Sequence, residues 1–169
     1  ENFTKELERE IKKKTEDLLN SENELYHRME TLNQVAMVLE FNTEGTITYS
    51  NEHFCKVLEF NESDIVGTIF TDLISTQQRE ETSKGIWDEI EAGNTWRGEL
   101  VAESGQKNDV WLIVSVVPFL SVSGEIDKYV VVSFDITDEK DLQHQLELSL
   151  SKERELSDLK SHFISMASH

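Results

Sequence analysis

Met37-Val-Leu-Glu-Phe41, Asn42-Thr-Glu-Gly45 and Thr46-Ile-Thr-Tyr49 follow one another directly, and their reading decides the fold. The outer two runs are short and rich in apolar, β-branched and aromatic residues, so they predict strands. Between them Asn42 and Gly45 supply turn chemistry, the glycine being free to take the positive φ that a tight reversal needs. The three runs together predict an antiparallel hairpin.

Downstream of the hairpin, Asn51 is placed to cap a short helix through Cys55 and Leu58, and two further helical turns are predicted at Glu62–Gly67 and Phe70–Leu73. A longer helix is expected from Gln77 to Glu91, with Ile86, Trp87 and Ile90 on one face, stopping at Gly93. Three strands then follow at Thr95–Ala102, Asp109–Val117 and Lys128–Phe134, with turns at Ser104–Asn108 and Ser121–Glu125. Pro118 lacks a ladder donor and belongs at an edge or a strand end. Two strands, a helical cluster and three strands predict an α+β domain, helices on one face of a five-stranded antiparallel sheet.

Upstream, residues 1–34 contain neither proline nor glycine, and Ile11, Leu18, Leu25 and Leu32 recur every seven residues. That interval marks a coiled-coil seam, although its second position is filled poorly in either register. Residues 138–169 are helical again, with Leu142 and Leu146 followed by Leu156, Leu159, Phe163 and Met166. Ser149, Lys152 and Glu153 interrupt this second seam, as in a linker with more than one packing register. The organisation expected is therefore a coiled-coil helix over 1–34, an α+β domain over 35–137, and a coiled-coil linker over 138–169.

The formal charge is −18 with a pI near 4.5, and each of the three segments is net negative. A phosphate backbone and an anionic membrane surface would both be repelled, so no nucleic acid or membrane partner is expected. Cys55 is the single cysteine, which excludes an intramolecular disulfide and a thiolate zinc cluster and favours a reducing compartment. No apolar run reaches the roughly 20 residues that span a bilayer. A cytoplasmic chain is expected, with a membrane anchor further upstream left open.

Gly45-x-Ile47-x-Tyr49-x-Asn51-x-x-Phe54, Ile65-Val-Gly67, Trp96-Arg-Gly-Glu99, Trp111 with Pro118 after it, Gly124, and Asp135-Ile136-Thr137 stand in a fixed order. In that order and at those intervals they resemble the PAS domain. The resemblance implies the PAS fold, and it implies that the corner Asp135-Ile136-Thr137 relays signals from the last strand into the following helix.

The closing run Glu155-Leu-Ser-Asp-Leu-Lys-Ser-His-Phe163-Ile-Ser-Met-Ala-Ser-His169 resembles the opening of the dimerisation and phosphotransfer helix of sensor histidine kinases. By that resemblance His169 accepts phosphate, and the parent is an ATP-dependent protein-histidine kinase that passes the phosphate to a response regulator receiver domain. The acidic residue that the family places after its histidine, the second helix of the hairpin and the ATP-binding domain do not follow within this sequence, so the chain is expected to be inactive alone. Helical geometry agrees: His169 lies six residues after Phe163, roughly 90° from the middle of the seam at about 100° per residue.

No cofactor is assigned. Haem is not expected, because His27, His53, His144, His162 and His169 lie away from the long helix and its loop, where haem-binding members of the family carry their ligand. Flavin is left open without support: Cys55 stands in His-Phe-Cys-Lys on the first short helix and reads as a small apolar filler. Trp87, Trp96 and Trp111 read as core before they read as a stacking platform, and Arg97 and Glu99 are expected to pair with neighbouring strands on the solvent face. An unidentified small-molecule ligand is compatible with the sequence. The partners expected are a second copy in a parallel homodimer, the receiver domain and the parent's ATP-binding domain. The alternative reading is a ligand-free PAS module that only dimerises.

Overall fold

The computed structural model describes residues 2–168 apart from the side chains of Leu32 and Asn33, so His169 and the Leu32 seam position lie outside the described residues. The chain runs α1 (Asn2–Val35), β1 (Met37–Phe41), β2 (Ile47–Ser50), α2 (Glu52–Val57), α3 (Glu62–Ile65) and a 3-10 turn at Phe70–Leu73. It continues through α4 (Arg79–Glu91), β3 (Trp96–Glu103), β4 (Asp109–Leu120) and β5 (Ile126–Asp135) into α5 (Thr137–Ala167).

The hairpin closes as its composition demands. The side-chain oxygen of Asn42 accepts from the backbone N–H groups of Glu44 and Thr46, both at 3.0 Å, and Gly45 sits at φ +90°. A side chain at Gly45 would also meet the Trp87 ring at 3.1 Å, so both backbone and packing call for glycine.

The strands form one antiparallel sheet in the order β2-β1-β5-β4-β3. Its strands alternate: Met37, Leu39 and Phe41 of β1, Leu112, Val114 and Val116 of β4, and Tyr129, Val131 and Ser133 of β5 are buried on the inner face. Phe54, Leu58, Ile65, Phe70, Ile86 and Ile90 cover that face from the helical side and complete the core. Phe41 stacks on Phe70 with ring centres 3.9 Å apart and on Tyr129 at 5.1 Å, while Trp87 meets all three edge-on. Burial pushes the Tyr129 phenol above its usual pKa, and the charge of Glu91 adds to the shift.

Several boundaries differ from the sequence reading. β4 continues through Pro118 to Leu120 and β5 begins at Ile126, because the two strands keep pairing beyond Val116, which stands opposite Trp96, the first residue of β3. Pro118 thus lies inside a strand, at a place where that strand has a neighbour on one side only, which answers the missing donor. Helix α4 starts at Arg79, two residues later than expected, with its guanidinium bonded to the carbonyl oxygens of Ile74 and Asp72 at 3.1 and 2.9 Å.

Met37 at the start of β1 pairs with Ser133 near the end of β5. The entry helix α1 and the exit helix α5 therefore join the domain at the same end of the sheet. Among the described residues no helix is long and apolar enough to cross a membrane.

Candidate functional site

Three features share the sheet: a joint where α1 enters, a cavity in the core, and a corner where α5 leaves.

The joint is Asn51. Its side-chain oxygen caps α2 by accepting from Phe54 N–H at 2.9 Å, and also accepts from Val38 N–H at 3.0 Å. Its amide nitrogen donates to the carbonyl of Ala36 at 2.9 Å. One buried amide therefore holds the α1–β1 junction and the first helix over the core together. The capping role is visible in sequence, but the reach back to residues 36 and 38 is not.

The cavity is small, about 50 Å³, and lined by core side chains including Leu39, Leu58, Leu100, Ala102, Val114 and Ser133. The polar contribution is Ser133, whose hydroxyl donates weakly to the Met37 carbonyl at 3.5 Å. Sites for drug-sized ligands run to roughly 300–1,000 Å³. As it stands the cavity takes a few atoms of apolar matter, and a flat ring system would enter only if the core opened. The three tryptophans do not assemble a platform around it: Trp87 and Trp96 pack against the core, whereas Trp111 lies across the sheet under α5. Cys55 is half-buried with its sulfur 3.4 Å from the Ser50 hydroxyl. His53 is half-buried on α2, and His27, His144 and His162 stand exposed on the long helices.

The corner is built from Asp135, Ile136 and Thr137 against Trp111. The Asp135 carboxylate accepts from both the N–H and the hydroxyl of Thr137, at 2.9 and 2.6 Å. Thr137 Oγ1 in turn accepts from the Trp111 N–H at 3.1 Å, and Ile136 N–H donates to the Trp111 carbonyl at 2.8 Å. The strand ladder thus runs into the first turn of α5 without a slack residue. One turn on, Lys140 bonds Glu99 of β3 at 2.6 Å and lies 5.0 Å from the Trp111 ring centre. Glu99 was expected to pair across the sheet; its partner is instead a lysine on the exit helix. Beyond this point no residue of α5 is buried, and Leu156, Leu159, Phe163 and Met166 are each about two-thirds exposed or more.

A five-stranded sheet in this order, helices over one face, a small apolar interior and a helix locked to the last strand define a sensory domain of the PAS type. The family model for the PAS domain matches residues 34–138, more than half of the chain, and the chain belongs to that family. It is also similar to a nitrogen fixation regulatory protein of Klebsiella pneumoniae, 24% identical over 105 residues. That match takes in 62% of this chain and 21% of the relative, so the chain spans about a fifth of the relative's length. Among solved structures, the PAS domain of a Colwellia psychrerythraea protein superposes with a TM-score of 0.61 at 16% identity, over 68% of this chain and 98% of that one. An RNA-binding light-oxygen-voltage receptor gives a TM-score of 0.61 at 15% identity, over 69% of this chain and 34% of that one. At these identities the structural likeness speaks for the fold. The chain is a PAS signalling domain carried between two long helices.

Proposed function

We propose that this chain is the sensory and relay segment of a two-component sensor histidine kinase. In this reading a change in the PAS core moves the sheet, the Asp135-Ile136-Thr137 corner passes that movement to α5, and α5 sets the access of His169 to ATP held on the parent's catalytic domain. A neutral imidazole nitrogen then attacks the γ-phosphorus, ADP leaves, and the N–P bond formed is reactive enough to pass phosphate to an aspartate of a receiver domain.

The observation that carries this reading is α5 itself. It is one helix from Thr137 to Ala167, about 46 Å long at 1.5 Å per residue, anchored at its first turn and running into the sequence that resembles a phosphotransfer helix. The test is to incubate the full-length parent with Mg-ATP and map the product. Acid-labile phosphate on the peptide that contains His169 is expected. Acid-stable phosphate alone, or acid-labile phosphate on His162, would overturn the assignment.

The same reading calls for a parallel homodimer. Ile11, Leu18 and Leu25 of α1 are more than half exposed, as are the apolar residues of the α5 seam. On the outer face of the sheet Tyr49, Phe119 and Phe134 are also well exposed, beside Val38, Val130 and Val132, with Met29 of α1 at the edge of the same groove. The acidic chain leaves these apolar surfaces as the natural contact for a second copy, and both helices reach the domain at one end, as parallel alignment requires.

The small cavity favours a second reading, a PAS module that dimerises and fixes the geometry of the downstream helices without a ligand of its own. Native mass spectrometry separates the two. A dimer carrying a small molecule supports sensing, an empty dimer supports the module, and a monomer at micromolar concentration removes the dimer from both.

A further inference from the structure

We infer that Lys140, Glu99 and Trp111 form a clamp that fixes the direction in which α5 leaves the sheet and ties that direction to strand β3. This rests on the reading of α5 as the output helix and adds to it the residues that position the helix.

Placement is the first argument. Among the described residues, past the Thr137 hydrogen bonds to the end of β5 and to β4, Lys140 is the residue of α5 with a specific bond to the domain, and no residue of the helix is buried. The Lys140 ammonium is 2.6 Å from Glu99 Oε2, and the lysine side chain keeps 27% of its exposure. It also lies 5.0 Å from the centre of the Trp111 ring. A lone surface ion pair is weak because water screens it and two long side chains must be ordered. Here one ammonium serves a carboxylate and an aromatic face together, so a single loss of side-chain freedom is shared between two attractions. A backbone bonded at the corner alone has one pivot; the clamp adds a second point of attachment about one helical turn further on, which is what a direction requires.

Connectivity is the second argument. Glu99 faces outward on β3, and the next inward residues of that strand, Leu100 and Ala102, line the core cavity. Trp111 likewise precedes Leu112, another lining residue. A change of cavity volume that displaces β3 against β4 therefore moves the carboxylate and the ring on the far side of the same strands. Lys140 then either follows, tilting α5, or lets go.

Amide hydrogen exchange on the whole chain, read over residues 138–146, tests the clamp in a double-mutant cycle. Glu99→Gln and Lys140→Gln are each expected to speed exchange there about three- to tenfold, leaving β1 and β5 unchanged. The double variant is expected to be no faster than the faster single variant, because both changes remove one shared interaction. Unchanged exchange in the single variants, or effects that add, would overturn the clamp. The output of the full-length protein is measured separately. A non-additive exchange effect with unaltered output leaves the clamp standing and counts against the kinase reading.

Discussion

Asn51→Ala is expected to lower the stability of the domain by about 2–4 kcal/mol, a thirty- to several-hundred-fold shift in the folding equilibrium. The residue is 4% exposed, and its amide serves Ala36, Val38 and Phe54 at 2.9 to 3.0 Å. Truncation leaves two backbone donors and one carbonyl in a region that water reaches poorly, and each such group costs about 1–3 kcal/mol when unmatched. The loss of the cap alone contributes about 1 kcal/mol. Urea unfolding followed by fluorescence of the partly buried Trp87 should show a lower midpoint with an unchanged slope, compared at equal protein concentration because the proposed dimer would make stability concentration-dependent. A shift below about 0.5 kcal/mol, the range of an ordinary surface change, would show that Asn51 is not the joint described here.

The sequence carried more of the fold than of the site. Asn42, Gly45 and Asn51 act through neighbours within a few residues, so turn and capping chemistry reveals them. The five strands were likewise legible, because each is an apolar, β-branched run bounded by turn residues, but the order in which they pair was not. Three further kinds of information were hidden. Strand ends depend on where a partner stops: β4 outlasts β3 past Val116 and carries Pro118 inside it, and nothing local to Pro118 announces that. Thr46 leaves the hairpin strand to bridge Ile69 for the same reason. Long-range side-chain partners were hidden as well. Glu99 alternates with Trp96 as a solvent-facing strand residue should, yet its bond crosses to Lys140 on α5. Trp111 looks like a core aromatic but lies across the sheet, where its backbone receives the corner and its ring faces a lysine. The cavity could not be read at all, since its volume is what remains after all the facing side chains have packed.

The central claim is that α5 transmits direction as a continuous helix, and changing its helical phase tests it with the second large expected effect. Each added residue turns everything downstream by about 100° and advances it by about 1.5 Å. Two residues inserted between Gln143 and Glu153 place the Phe163 end of the helix about 200° away, on the opposite side relative to the PAS domain. Seven return it to within about 20° of its original face. The site lies beyond Lys140, so the corner and the clamp stay intact, and it falls in the stretch where Ser149 and Lys152 already weaken the seam. In the full-length protein, with inserts of one to seven residues, basal output and stimulus response are predicted to collapse or invert at two and five residues and to recover at seven. A smooth decline of output with insert length, blind to phase, would mean that α5 is a tether and that no rigid relay runs from the PAS corner.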